Sequence, residues 1–276
     1  VPGATIYTNP DAHDMFMGLS LEKIYDSANP STPYFFNTSK TTDMLHMFSY
    51  IQLSSIGIPF DCTNGNNVSP FGLMDTSNVT NLSGMFSSTN NLDTTGIENW
   101  DVHKVTDIGD FFGYAQTVKI PWGIGNWEFD NLQNVKEAFY FQSTDNEVNI
   151  TKWDLSHCDA SEMFNLDTNS LYTMKGTVKR LGIGSKLIDK NGKFCIPSAH
   201  GLEGVYNTTE HFNGTWQNEN TGVQYFQRKN IDQSMDENKF SFQKFLTGNG
   251  ESYTEFEEAY LANPTGMSGT YVLGKG

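Results

Sequence analysis

Basic side chains are scarce in this sequence: 17 Lys and Arg stand against 32 Asp and Glu in 276 residues, a net charge of −15. Nucleic acid is therefore not an expected partner, because neutralising phosphates takes a surplus of Lys and Arg. An anionic membrane surface is disfavoured by the same deficit. Long apolar runs are also missing. Nothing approaches the roughly 18 residues of a membrane-spanning helix, so no membrane insertion is expected, and no signal-peptide pattern is found. The sequence opens on Val1 rather than Met, for which a processed or excised chain is the expectation.

Cysteine is rarer still. Cys62, Cys158 and Cys195 are far apart and odd in number, which rules out a dense disulfide framework and a CxxC motif. One bridge stays open beside the alternative of buried free thiols. The six histidines form no HExxH or H-x-H cluster, there is no GxSxG and no EF-hand pattern, and GIGSK at 182–186 lacks P-loop spacing. The expectation is a chain with no cofactor, no metal and no enzymatic activity.

Aromatic residues are plentiful, with 20 Phe, 12 Tyr and 5 Trp. Burial must then be achieved by rings, and disorder is not expected. The rings recur. FNTSKTTDMLHMF (36–48), MDTSNVTNLSGMF (74–86), WDVHKVTDIGDFF (100–112) and WEFDNLQNVKEAF (127–139) align without gaps, and WDLSHCDASEMF (153–164) aligns with one deletion. Terminal Phe spacings of 38, 26, 27 and 25 residues set a period near 26 with one insertion. A worn earlier copy stands at Met15-Phe16, with Leu21, Ile24 and Tyr25 as the next strand.

Periods of about 20 to 29 residues belong to the leucine-rich-repeat class of solenoid. In the copy at 100–112, Trp100, Val102, Val105, Ile108 and Phe112 are separated by 2, 3, 3 and 4 residues. That spacing predicts one short strand and one short helix per unit, capped by Thr106 or Asp107 and by Thr80 or Asn81 in the preceding copy. Stacking would then place Trp100, Trp127 and Trp153 in one core ladder and Phe86, Phe112, Phe139 and Phe164 in another. The expected fold is an α/β repeat solenoid over residues 1–186, with units near 15–35, 36–73, 74–99, 100–126, 127–152 and 153–186. A small mixed α+β cap or accessory domain follows over 187–276. There Phe240–Phe245 alternates like a strand, Tyr253–Leu261 reads as an amphipathic helix, and a hairpin is expected around Asn218–Gly222.

The recurring phrase W-D-V/L-S-x-V-T-D/N-M/L-S-x-M-F resembles the repeat of BspA-like leucine-rich-repeat surface proteins, over about Met15 to Phe164. The copy at 127–139 departs most, with Glu128, Phe129 and Ala138. Beyond it, VKRLGIGSKLIDKNGKF (178–194), FNGTWQNENTG (212–222), YTEFEEAYLANP (253–264) and GTYV (269–272) resemble the closing segment of such arrays in lactobacilli and related Gram-positive bacteria. The resemblance implies an extracellular adhesin or interaction module on a cell surface, binding a host or bacterial surface protein or glycan.

Residues alternating with the core positions must face outward. They are Asn37, Asp75, Asp101, Glu128 and Asp154, and two residues further on Ser39, Ser77, His103, Asp130 and Ser156. Stacked strands would bring these carboxylates into a column about 4.8 Å apart, where like charges repel. Either the column binds a cation or a basic partner, or each carboxylate braces the next bend through backbone amides. Asp75, Ser77, Asp101, His103, Glu128, Asp130, Asp154 and Ser156 are thus the candidate ligand-binding residues. Two other functions stay open: self-assembly in an extracellular or virion structure, and glycan hydrolysis by Asp101 with Glu128 or Asp130. Seven N-x-S/T sequons, at Asn37, Asn67, Asn78, Asn81, Asn149, Asn207 and Asn213, follow from composition.

Overall fold

A computed structural model of the chain describes residues 6–19, 36–51, 71–140, 146–160, 163–164, 178–194, 215–226 and 254–274. Parallel bridges join Asp11 to Asp43, Asp43 to Asn81, Asn81 to Asp107, Asp107 to Asn134 and Asn134 to Asp159. Six coils of chain therefore lie one on the next in sequence order. Two-residue parallel strands reinforce the stack, β1 (Ile6–Tyr7) with β2 (Phe36–Asn37) and β3 (Leu92–Asp93) with β4 (Val118–Lys119).

The segment expected to be helical is a run of consecutive tight turns. Phe111, Gly113 and Ala115 donate their N–H groups to Ile108, Asp110 and Phe112, three residues back. Between them Asp110, Phe112 and Tyr114 donate instead to Lys136, Ala138 and Tyr140 of the next coil. A helix sends every N–H back along its own chain, whereas here alternate donors bond the neighbour. The cause is visible in the backbone: Asp110 and Tyr114 sit at φ 55° and 57°, and the equivalent His46 and Tyr50 at 52° and 55°. Left-handed residues four apart cannot continue a right-handed helix. With no helix to cap, Asn81 and Asp107 instead accept the N–H groups of Ser83 and Gly109 in Asx-type turns. Nor does Trp100–Val102 form a strand; Val105 donates to Val102 at 3.0 Å and closes a bend.

Both aromatic ladders form. Phe16, Phe48, Phe86, Phe112, Phe139 and Phe164 stack successively with centroids 5.2 to 6.1 Å apart. Trp100, Trp127 and Trp153 stack at 6.3 and 5.9 Å, within 9° of parallel. Each indole N–H is satisfied by the short 3-10 turn 29 or 30 residues before it, donating to Phe71, Ile97 and Ile124 respectively.

Strand β5 (Asn146–Ile150) then pairs parallel with β6 (Val178–Ile183). β7 (Thr215–Asn218), β8 (Gln224–Phe226), β9 (Thr254–Glu255), α1 (Phe256–Ala262), α2 (Pro264–Met267) and β10 (Gly269–Gly274) follow. The sheet order is β5-β6-β10-β7-β8-β9. One sheet thus runs from a repeat unit through the segment after residue 187, and the buried side chains of both form one cluster. The hairpin expected around Asn218–Gly222 is β7–β8. α1 buries Phe256 and Tyr260, as the amphipathic pattern predicts. The Tyr260 hydroxyl donates to the Gly184 carbonyl at 2.7 Å and accepts from Leu187 N–H at 3.0 Å, anchoring α1 to the end of the stack. Cys158 is a buried free thiol. Leu21–Tyr25, Phe240–Phe245, Cys62 and Cys195 lie outside the described residues.

Candidate functional site

Apart from Asn37, which lies in β2, the outward positions after the ladder residues fall on bends rather than on a sheet, and all eight candidates lie on this bend face. Asp75 Oδ1 accepts from the Ser77 N–H at 3.0 Å and hydroxyl at 2.6 Å, and Asp154 accepts from Ser156 in the same way at 3.1 and 2.6 Å. Asp101 Oδ1 takes the His103 N–H at 3.2 Å. An Asp followed two residues later by a donor closes a bend through its own side chain, so one oxygen of each of these carboxylates braces its turn.

Three carboxylates of the column, Glu128, Asp130 and Asp154, are also paired with Lys or His side chains, as is Asp93 outside it. Lys152 Nζ lies 2.9 Å from Glu128, Lys186 Nζ 2.8 Å from Asp154, and Lys119 Nζ 2.9 Å from Asp93. His103 Nδ1 lies 3.1 Å from Asp130, and Lys104 Nζ donates to Asn78 Oδ1 at 2.7 Å. Each of these pairs connects one coil with the next. What the sequence suggests as a stripe of bare negative charge carries a Lys or His partner at three of its carboxylates.

These bonds move the carboxyl groups of Asp75, Glu128 and Asp154 down. Hydrogen bonds from Ser77 hold Asp75 below the ordinary carboxylate range, and Lys152 does the same for Glu128. Burial pushes Asp154 up, but Lys186 and Ser156 together outweigh it and leave it lowered. His103 is raised by its bond to Asp130. Carboxylates held ionised in this way are preformed charges for binding, the reverse of the raised pKa a general acid needs. Among the described residues no group of three or more His, Cys, Asp and Glu is placed to hold a metal ion.

A second column lies one step along each coil, at the bridge residues, and sequence reading missed it. It begins with two acids, Asp11 and Asp43, after which Asn81, Asp107, Asn134 and Asp159 alternate amide and acid. Asn81 donates its amide to Asp43 at 3.3 Å and Asn134 to Asp107 at 3.1 Å. The signal was present in the alignment as a D/N position in every copy. Asp110, on the left-handed position of its coil, is the one described carboxyl pushed upward, chiefly by burial.

No curated protein and no solved structure matches the chain. Residues 57–175, which hold the coils from Asn81 to Asp159, match the family described as Mycoplasma protein of unknown function, DUF285.

Proposed function

We propose that the chain is a non-enzymatic solenoid of the leucine-rich-repeat kind, displayed extracellularly on a cell surface, that binds a protein or glycan of a host or neighbouring cell through its bend face. The observation that carries this reading is the row of carboxylates from Asp75 to Asp154, three of them paired with Lys or His side chains. Its carboxylates are exposed or half-exposed and spaced by the coil repeat, and Asp75, Asp101 and Asp154 are fixed by their own turns. Side chains already immobilised in the free protein lose little entropy when a ligand arrives, so such a face binds at low ordering cost. The partner that fits presents donors and cations at matching intervals: a basic peptide surface, or the hydroxyl groups of a glycan. The likeness of the repeat phrase to BspA-like surface proteins supports the same placement. It also favours binding over catalysis, as does the downward direction of the pKa shifts at Asp75, Glu128 and Asp154.

The test uses substitutions that keep the bracing and remove the charge. Asp101→Asn retains an oxygen for the His103 N–H, and Glu128→Gln removes the charge at an exposed position. The double variant should bind at least about tenfold less to whatever the intact chain retains on a protein and glycan array, a loss of about 1.4 kcal/mol. Its melting temperature should stay within a few degrees of the parent. Unchanged retention would reject the bend face as the binding surface.

A further inference from the structure

The main-chain bonds between coils run mostly one way. Ala12, Asp14, Phe16 and Gly18 of the first coil donate to the carbonyls of Asp43, Leu45, Met47 and Ser49. Met44, His46, Phe48 and Tyr50 donate in turn to Asn81, Ser83, Met85 and Ser87, and Leu82, Gly84, Phe86 and Ser88 to Asp107, Gly109, Phe111 and Gly113. Four alternate N–H groups of the earlier coil therefore meet four alternate carbonyls of the later one at every such interface. Within this segment the reverse bonds come from the residue at or before the bridge, as in Thr80 N–H to Thr42 at 2.8 Å.

The polarity leaves the two ends of the stack chemically different. At the far end Ala160 N–H, which has the place of Ala12, donates to the carboxylate of Asp189 at 3.3 Å, and the buried Asp189 stands in for the carbonyl of a next coil. At the near end the acceptors of the first coil would be the carbonyls of Asp11, His13, Met15 and Met17, and these accept no bond from any described residue.

Side chains on that edge are equally uncovered. Met15 is 43% exposed, whereas Met47 and Met85 in the same coil position are 0% exposed. Leu19 is 46% exposed, against 2% for Ile51 and 0% for Ala115. The first coil has the apolar pattern of a coil with a neighbour on both sides.

We propose that the edge formed by Asp11–Leu19 is a docking surface for a further coil of this same repeat, standing before the first and donating four alternate N–H groups to Asp11, His13, Met15 and Met17. Two copies of this chain meeting edge to edge would set carbonyl against carbonyl, and at the donor end of a second copy the Ala160 N–H is already taken by Asp189. An ordinary extended strand also fails, because the edge is curved by left-handed residues at Asp14 and Gly18. Only a segment with the same alternation of tight turns presents its donors in register.

Fusing a copy of residues 74–99, marked by Thr80→Ser, ahead of Val1 tests this. Oxidation of Met15 and Met17 by dilute peroxide should slow at least about tenfold relative to the parent, and the amides at Leu82, Gly84, Phe86 and Ser88 of the added copy should be protected from hydrogen exchange. The same fusion carrying Met15→Glu and Leu19→Glu should lose both effects while the rest of the stack stays folded. An added copy that exchanges at unfolded rates beside a Met15 oxidised as in the parent overturns the proposal. So does a parent chain that scatters light as a dimer with Met15 already protected, which would assign the edge to a second copy.

Discussion

Asn134 gives its side-chain amide to both carboxylate oxygens of Asp107, at 3.1 Å each, across two adjacent coils. Asn81 does the same for Asp43, to one oxygen at 3.3 Å. Carboxylates stacked directly above one another would repel, and from Asn81 onward an amide at every second coil converts that repulsion into a charge-assisted hydrogen bond. Asn134→Asp should therefore cost about 1–2 kcal/mol at pH 7 by denaturant titration, from the lost bond and the new repulsion. The deficit should shrink as pH falls through about 4, where a carboxyl can take up a proton and donate again. A deficit equally large at pH 3 and pH 7 would remove electrostatics as its cause.

How far this ladder could be foreseen depends on what each column of the repeat shows. The Phe and Trp stacks follow from ring positions at a constant period, because only stacking buries them. The turn-for-helix exchange does not follow. Apolar side chains at Val105, Ile108 and Phe112 point inward from consecutive tight turns as readily as from a helix, and the left-handed residues that decide the matter are Asp110 and Tyr114 rather than glycines. The bracing role of Asp75 and Asp154 was one of two readings open in sequence, since Asp-x-Ser names the turn but not the direction of the carboxylate. The pairing of Glu128 with Lys152 joins residues 24 apart and needs the coil geometry to be seen.

The left-handed positions make a prediction of opposite sign at two neighbours in one coil. Gly84 has φ 61°, and a Cβ built on it would meet the His46 ring at 1.8 Å. Gly84→Ala should destabilise by about 1–3 kcal/mol through backbone strain and displacement of that ring. Ser88 has φ 56°, and Ser88→Gly relieves the left-handed penalty at some entropic cost, for a net gain of about 0.5–1 kcal/mol. Both are read from the shift in denaturation midpoint, and a Gly84→Ala protein as stable as the parent would deny the close fit.

Asn149 lies between two glycines. A Cβ on Gly125 would come within 2.1 Å of its side chain, and one on Gly182 within 2.4 Å of its Oδ1. Its amide donates to Trp122 at 2.9 Å, and its Oδ1 accepts from Thr151 N–H at 3.1 Å. Gly182→Ala should thus cost about 2 kcal/mol or more by overpacking the junction between β5 and β6. The same enclosure closes the sequon at Asn149, whereas Asn78 is exposed. Expressed in a glycosylating host, folded protein should carry glycan at Asn78 but not at Asn149, as peptide mass spectrometry would show.

Tyr260 links α1 to the stack and sets its limit at high pH. Burial raises its hydroxyl to about 12 from the model-compound 10.0. A folded pKa above the unfolded one means that the neutral group stabilises the fold fully below pH 10. That contribution fades as pH rises through 12. Burial likewise raises the Cys158 thiol to about 12 from 9.0, adding a loss that starts one unit lower. Stability should therefore fall from about pH 9 upward, and native Cys158 should react with thiol reagents only as fast as the chain unfolds. Tyr260→Phe removes both hydrogen bonds, to Gly184 and from Leu187, and should cost about 2–3 kcal/mol at pH 7. Because it also removes the titrating group, the variant should lose less stability than the parent between pH 10 and 12, and parallel curves over that interval would show that Tyr260 does not titrate with unfolding.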